Sequence, residues 1–272
     1  MRRIFTIVIS LSLFSSLVQA QRADSSTHDK TFLTGGDLLI AGLAAGGAGL
    51  ISLADTRIAR TSQEPRFQKS NLHSLAGNIS KVNETSLTVG GLLVYGVGRL
   101  TNSRLVSDVA LHATESVVLA SLASQVIRGP LGRARPYVTH DSDQYDFSFG
   151  SGFKSGSAGF DRRAFPSIHT SSSMAVATVL TMETNRRHPS ATKFVAPVMF
   201  TLGILPGLAR MQLNQHWASD VAAGAFMGVF SGYKVVSYSH DHPHNAFDRV
   251  LLGALMAPDT HGGMRVGLSQ DF

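Results

Sequence analysis

Long apolar stretches that carry almost no charge and many small residues constrain the fold of this chain more than any other feature. In the longest of them, apolar residues recur at steps of three and four, as on one face of a helix, up to a stop at Arg128-Gly129-Pro130. No segment alternates strongly in the manner of a strand. The sequence therefore predicts an all-α fold, a bundle of about six helices. The helical candidates are 38–54, 87–100, 105–127, 169–183, 193–205 and 217–236.

One segment interrupts this helical pattern. Residues 137–165 are rich in Gly, Ser, Asp and Phe and show no period. A loop of this length inside a compact domain is often a functional lid, and this one precedes the second motif described below. We divide the chain into a signal peptide (1–20), an N-terminal helical extension (21–86), a helical core (87–240) and a C-terminal tail (241–272), whose end we interpret as frayed.

The first twenty residues have the layout of a secretory signal peptide. Arg2 and Arg3 are followed by the apolar run 4–17 and by the small-residue cleavage signal Val18-Gln19-Ala20. The sequence therefore predicts export, with the periplasm as the expected compartment.

The apolar stretches also raise the question of membrane insertion. The runs at 38–54, 87–100 and 194–208 contain 17, 14 and 15 residues, and each is shorter than the roughly 20 that cross a bilayer. We therefore expect a soluble exported bundle that can touch a membrane surface. A membrane-embedded protein is the alternative.

Composition excludes several function classes. The chain has no cysteine, which rules out disulfides, thiolate catalysis and cysteine-ligated metals. Its formal net charge is +6, and removing Arg2 and Arg3 leaves +4. This charge is too small to indicate a nucleic-acid partner. The oligomeric state is not specified by the sequence.

The first chemical signal is a histidine followed four residues later by a carboxylate. His216 and Asp220 have the spacing of two residues on one helix face, and Arg210 precedes them. A carboxylate that accepts the imidazole Nδ1–H leaves the Nε2 lone pair free, which turns the histidine into a nucleophile. A surface His–Asp pair is the simpler alternative for this motif taken alone.

Two further clusters complement this one. Ser167 and His169 stand just before a helical candidate, where a serine caps the helix and a histidine can act as general acid. Arg128, Arg133 and Arg135 surround a helix end, and guanidinium groups bind phosphate oxygens. A plain capping turn and a solvated basic loop are the respective alternatives. Together, however, the three clusters supply what phosphoryl transfer without a metal requires.

In this order and spacing, the clusters resemble the motifs of the type 2 phosphatidic acid phosphatase superfamily. That superfamily also contains bacterial non-specific acid phosphatases and vanadium haloperoxidases. Its motifs K/R-x6-R-P, P-S-G-H and S-R-x5-H-x3-D fall on 128–136, 166–169 and 209–220, and the resemblance covers roughly residues 105–236. It implies that His216 attacks phosphorus, that Asp220 orients His216, and that His169 protonates the leaving oxygen and later activates water.

The resemblance also implies a set of phosphate-binding residues, namely Arg128, Arg135, Ser167 and Arg210. Arg133 has no position in the motif and receives no role. No metal ligand and no cofactor are expected at this site, and vanadate should inhibit as a mimic of phosphate. The histidines at 240, 242 and 244 fit either a metal site or a polar tail equally well.

Two positions depart from the family pattern. Ile168 stands where the family has glycine, and a branched side chain resists the positive φ that a glycine turn can adopt. Ala209 replaces a serine, which removes one hydroxyl. The first departure puts the rate of catalysis in doubt.

The sequence as a whole predicts a metal-independent phosphatase that acts through a phosphohistidine intermediate. Its substrate would be a phosphomonoester or diphosphate: a lipid phosphate, an isoprenyl diphosphate or a small soluble ester. Two alternatives stay open, a vanadate-dependent haloperoxidase and a non-catalytic lipid-phosphate binding protein.

Overall fold

The computed structural model describes residues 32–242, 254–258 and 264–268. Nine α-helices lie in this part of the chain, and six of them have 17 or more residues, so the prediction of an all-α bundle of about six helices is confirmed. The helices are α1 (Gly35–Ser52), α2 (Asp55–Ser62), α3 (Ser70–Ile79), α4 (Glu84–Leu100), α5 (Arg104–Leu131), α6 (Gly156–Phe160), α7 (Ile168–Arg187), α8 (Pro189–Gln212) and α9 (Ala218–Asp241).

Local sequence explains where several helices begin and end. At the start of α4, the Asn83 side chain accepts the Ser86 N–H at 2.9 Å while the Ser86 hydroxyl accepts the Asn83 N–H at 2.9 Å. This reciprocal capping box satisfies two backbone donors that the helix cannot. Helix α5 ends at Gly132, whose φ of +60° is a conformation that glycine adopts without strain.

The segment 137–165 contains no long helix, as its composition predicted. Two 3-10 turns, Pro136–Thr139 and Ser151–Phe153, and the five-residue helix α6 are its regular structure. The Ala134 N–H donates to the Asp146 carbonyl at 2.9 Å, which ties this loop to the first motif.

The end of the chain differs from the prediction. Strands β1 (Ala254–Pro258) and β2 (Met264–Leu268) pair antiparallel, with Ala254 opposite Leu268. The interpretation of the last residues, 267–272, as frayed was wrong for Gly267 and Leu268, which belong to β2, while 269–272 lie outside the described residues. Backbone pairing between two five-residue segments needs no marked side-chain period, which is why the sequence did not show it. The predicted signal peptide and His244 lie outside the described residues.

Helix α7 is the central element of the bundle, and it packs against α5, α8 and α9. Its contact with α9 is unusually close. A Cβ atom placed on Gly224, Gly228 or Gly232 would lie within 3.0 Å of a backbone oxygen, either of the residue just before α7 or of α7 itself. The oxygens concerned are those of Ser167, Ser171 and Ala175. This line of contacts, which we call the glycine seam, brings two helix backbones together without intervening side chains.

The surface carries long apolar faces. Helices α1, α5 and α8 are each long and apolar enough to cross a membrane, judged by length and composition. Large apolar side chains on all three are exposed, including Leu38 (77%), Val126 (72%) and Phe194 (70%). Exposure of this much apolar surface to water is unfavourable, whereas its exposure to lipid is not.

These helices correct the expectation of a soluble bundle. The apolar run at 194–208 has 15 residues but lies within α8, which has 24, and α1 and α5 have 18 and 28 residues. The sequence count was too short because it stopped at the first polar residues, although the helical hydrogen bonding continues through them. The structure therefore supports membrane embedding.

Candidate active site

The second motif forms the N-terminus of α7. Ser167 is the residue before the helix, its side chain is fully buried, and its hydroxyl accepts a hydrogen bond from Thr170 Oγ1 at 2.9 Å. The Ser167 N–H donates to the Asp220 carbonyl oxygen at 3.0 Å, which joins this motif to the third one. The first-turn amides of a 20-residue helix thus point toward the motif residues, and such a helix end attracts anions.

The isoleucine that replaces the family's glycine fits this turn. Ile168 is the first residue of α7 and is not among the residues with positive φ. Its side chain is 3% exposed and packs in the core. The strain expected from the sequence is therefore absent, because a branched residue adopts helical backbone angles without difficulty.

A variant tests this conclusion. We expect Ile168→Gly to leave the rate of phosphate release within about threefold of wild type and to lower the free energy of unfolding by about 2–5 kcal/mol, as for loss of a buried isoleucine. Initial rates and denaturant unfolding in the same detergent would measure both quantities. A large gain in rate would instead show that Ile168 impairs the turn.

In the third motif, the histidine and the carboxylate do not share a helix face, contrary to the sequence-based expectation. His216 lies before α9, which begins at Ala218, while Asp220 lies in its first turn. The Asp220 carboxylate accepts the Trp217 N–H at 2.8 Å and so caps the helix. The Trp217 ring is fully buried, and its indole N–H donates to the Ala134 carbonyl at 2.9 Å.

The hydrogen-bond partner of His216 is also different from the one predicted. His216 Nδ1 lies 2.8 Å from the Ala164 carbonyl oxygen and 3.6 Å from the nearer Asp220 oxygen. A carbonyl can only accept, so Nδ1 carries the proton and Nε2 carries the lone pair. The tautomer is the predicted one, but a backbone group holds it. The correction arises because the loop 137–165 returns past His216, which residue spacing cannot show.

Arg133, to which the sequence analysis gave no role, is the centre of a buried charge cluster. Its guanidinium donates to Asp220 at 2.5 Å, to Asp55 at 2.8 Å and to the Ser219 hydroxyl at 2.8 Å. Both carboxylates are fully buried, and Ser219 N–H donates to Asp55 at 2.9 Å. Asp55, at the start of α2, lies 78 positions before Arg133, so no local spacing could have identified it.

Arg135 is held by main-chain oxygens. It is 1% exposed and donates to the carbonyls of Phe160 and Gln215, each at 2.8 Å. Burial, followed by the positive charges of Arg210 and Arg128, lowers the pKa of its guanidinium to about 9. Arg135 thus places a fixed positive charge beside the motif residues.

The structure brings the three motifs together around a set of unpaired nitrogen atoms. Among the described residues, four buried side-chain nitrogens have no hydrogen-bond partner within the protein, and each belongs to a motif. They are Arg128 Nε, His169 Nδ1, Arg210 Nε and His216 Nε2. Buried polar atoms normally find partners, so an unpaired cluster marks a binding site. Guanidinium groups have no lone pair to offer a metal, and the cluster therefore fits an anion.

Electrostatics keep both histidines neutral before an anion binds. Burial lowers the pKa of His169, and the neighbouring Arg210 and His216 lower it further. Burial also lowers the pKa of His216, assisted by Arg135 and Arg210. A phosphate dianion among these groups reverses the electrostatic contribution and raises both pKa values. The site is therefore suited to a neutral nucleophile and to an acid that is charged only beside its substrate.

Comparison with known proteins agrees with this geometry. The model of the PAP2 superfamily matches residues 109–243. A "Lipid A 1-phosphatase" of Porphyromonas gingivalis is 34% identical over 86 residues, which are 32% of this chain and 18% of that protein. A "Lipid A 1-phosphatase" of Rhizobium etli is 29% identical over 135 residues, which are 49% of this chain and 52% of that protein. The matches thus span less than two thirds of either relative.

A solved structure shows the same fold. The crystal structure of a transmembrane PAP2-type phosphatidylglycerolphosphate phosphatase from Bacillus subtilis matches 77% of this chain and 96% of its own, with a TM-score of 0.53 and 19% sequence identity. The two proteins thus share an all-α helical bundle. The region that matches the PAP2 superfamily, 109–243, contains all three motifs, as their order and spacing indicated.

Proposed function

We propose that this protein is a membrane-embedded phosphatase that removes phosphate from a lipid through a phosphohistidine on His216. The observation that supports it most is the set of four unpaired nitrogens, which come from all three motifs and suit a phosphate group. The neutral His216, with Nδ1–H on the Ala164 carbonyl, has its Nε2 lone pair available for attack.

The proposed reaction has two steps. His216 Nε2 attacks phosphorus, the bond from phosphorus to the leaving oxygen breaks, and His169 gives that oxygen a proton. In the second step, neutral His169 takes a proton from water while the water oxygen attacks phosphorus. The phosphorus–nitrogen bond breaks, its electron pair returns to Nε2, and inorganic phosphate leaves.

In this proposal, the remaining motif residues stabilise the charges of the phosphate group and of the phosphorylated imidazole. Arg128, Arg210 and the start of α7 with Ser167 bind the phosphate oxygens, and Arg135 adds positive charge from its carbonyl-bound position. Asp220, 3.6 Å from His216 Nδ1, stabilises the positive charge that the imidazole acquires as a phosphohistidine. No metal enters either step.

A lipid substrate is favoured over a small soluble ester. The relatives named above are lipid A and phosphatidylglycerolphosphate phosphatases, and this chain has apolar helices of membrane-spanning length. In the loop 137–165, Phe149 is 78% and Phe153 67% exposed, so two aromatic side chains are free to contact acyl chains at the membrane interface.

Phosphate release in excess EDTA tests the proposal. We expect the purified protein to hydrolyse a lipid phosphate in mixed micelles at the same rate with and without EDTA, with kcat/KM at least about tenfold above that for an aryl phosphate. Vanadate should inhibit competitively. Readdition of Mg²⁺ is the control. Activity that EDTA abolishes and Mg²⁺ restores would rule out the proposed mechanism.

A further inference from the structure

A second cluster of ionisable side chains lies far from the candidate active site. His112 of α5, Glu183 of α7 and His240 of α9 place their ligand atoms within 4.8 Å of one another. Glu183 lies 15 residues after Ile168, the first residue of α7, so it is about 22 Å from the start of the helix at 1.5 Å per residue. This cluster therefore cannot take part in the chemistry at His216.

The geometry of the cluster converges on one oxygen atom. His112 Nδ1 lies 2.8 Å and His240 Nε2 lies 2.9 Å from the same Glu183 Oε1. The other carboxylate oxygen is occupied by a hydrogen bond from Arg187. Both imidazole nitrogens thus lie at hydrogen-bond distance from Glu183 Oε1, and Arg187 holds the other oxygen of this carboxylate.

Two imidazoles and one carboxylate form a donor set that Zn²⁺ binds in proteins, with one coordination position left for water. Donors around a tetrahedral zinc ion are about 3.3 Å apart, given bonds of about 2.0–2.1 Å. The two short contacts would widen by about half an ångström to admit the ion. His112 and Glu183 are almost fully buried, whereas the His240 side chain is 26% exposed and leaves a route for entry.

We propose that His112, Glu183 and His240 bind one zinc ion, which ties α5, α7 and α9 together. The ion would bind the folded protein and not the unfolded chain, because the three ligands come from three separate helices. The site is independent of the proposed phosphatase reaction. The proposed site includes His240 but not His242, which lies two positions later and contacts the Tyr238 carbonyl at 3.1 Å.

Zinc titration of the full chain, purified without a polyhistidine tag and stripped with chelator, tests this inference. We expect about one equivalent of bound Zn²⁺ by calorimetry, and a rise in the unfolding temperature of about 5–10 °C at a hundredfold excess over Kd. His240→Phe should abolish both effects, and its partial exposure makes misfolding a minor concern. His242→Phe is the matched control and should retain them.

Three results would overturn the inference: less than about 0.2 equivalents bound to wild type, unchanged binding in His240→Phe, or loss of binding only in His242→Phe. Any of them would leave the cluster as an ion-pair network around Glu183. Phosphate release separates this outcome from failure of the proposed function, since His240→Phe in EDTA should turn over at the wild-type rate, assayed well below the unfolding temperature.

Discussion

Replacing His216 by asparagine is expected to lower kcat for phosphate release by at least about 1,000-fold, the size of effect seen when a nucleophile is removed. The substitution is chosen to isolate the reactive atom. An asparagine side chain can still donate an N–H to the Ala164 carbonyl, 2.8 Å from Nδ1 in the wild type, but it has no atom at the position of Nε2. We therefore expect the fold to survive and the chemistry to stop.

The measurement is kcat at saturating lipid phosphate, together with the unfolding temperature in the same micelles. Quenching wild type during turnover of a radioactively labelled substrate should trap label that is stable to base and lost in acid, as phosphohistidine is, and His216→Asn should trap none. His73→Asn, on the exposed face of α3, is the matched control. A variant that kept more than about a tenth of the wild-type rate would exclude His216 as the nucleophile.

The second large effect concerns stability. Arg133→Met should lower the free energy of unfolding by about 3–5 kcal/mol, because it leaves two buried carboxylates without their shared cation. Asp55 and Asp220 are both fully buried, so neither can regain water without opening the bundle. Activity should fall as well, since Asp220 caps the helix that follows His216.

A comparison with Arg162 separates the effect of burial on stability from the effect of losing a charge. Arg162 pairs with Asp146 at 2.5 Å, but the two side chains are 25% and 31% exposed. Arg162→Met should therefore cost less than about 1 kcal/mol, the usual value for an exposed pair. Denaturant unfolding of both variants in one detergent makes the comparison. Equal losses would show that the Arg133 cluster is no more important than a surface ion pair.

The helices and the motif positions could be predicted from sequence because their signals are local. Steps of three and four in the apolar residues mark α5, and Arg128-Gly129-Pro130 marks its end. The predicted tautomer of His216 was right, but the partner predicted to fix it, Asp220, was not. Membrane embedding was underestimated, since apolar runs were counted in place of whole helices.

What the sequence could not show depends on chain segments that are distant along it. The carbonyl that holds His216 belongs to Ala164, 52 positions earlier, and a backbone oxygen leaves no mark in a sequence. Asp55 and Glu183 likewise could be assigned a role only from their contacts with Arg133 and His112, which are distant along the chain. The absence of backbone strain at Ile168 could be seen only from its backbone angle, because a glycine motif does not state which φ the turn adopts.

The glycine seam restricts the movement of α7 and α9 relative to each other. Where α9 meets the backbone oxygens of α7, its glycines have no side chain of their own whose rotation could let α9 slide along α7. In the proposed reaction, the proton donor His169 at the start of α7 and the nucleophile His216 just before α9 therefore keep one spacing, whatever substrate binds. We expect selection among phosphorylated lipids to be made outside this helix pair, in the 137–165 loop and on the apolar faces, where residues can change without disturbing the reacting atoms.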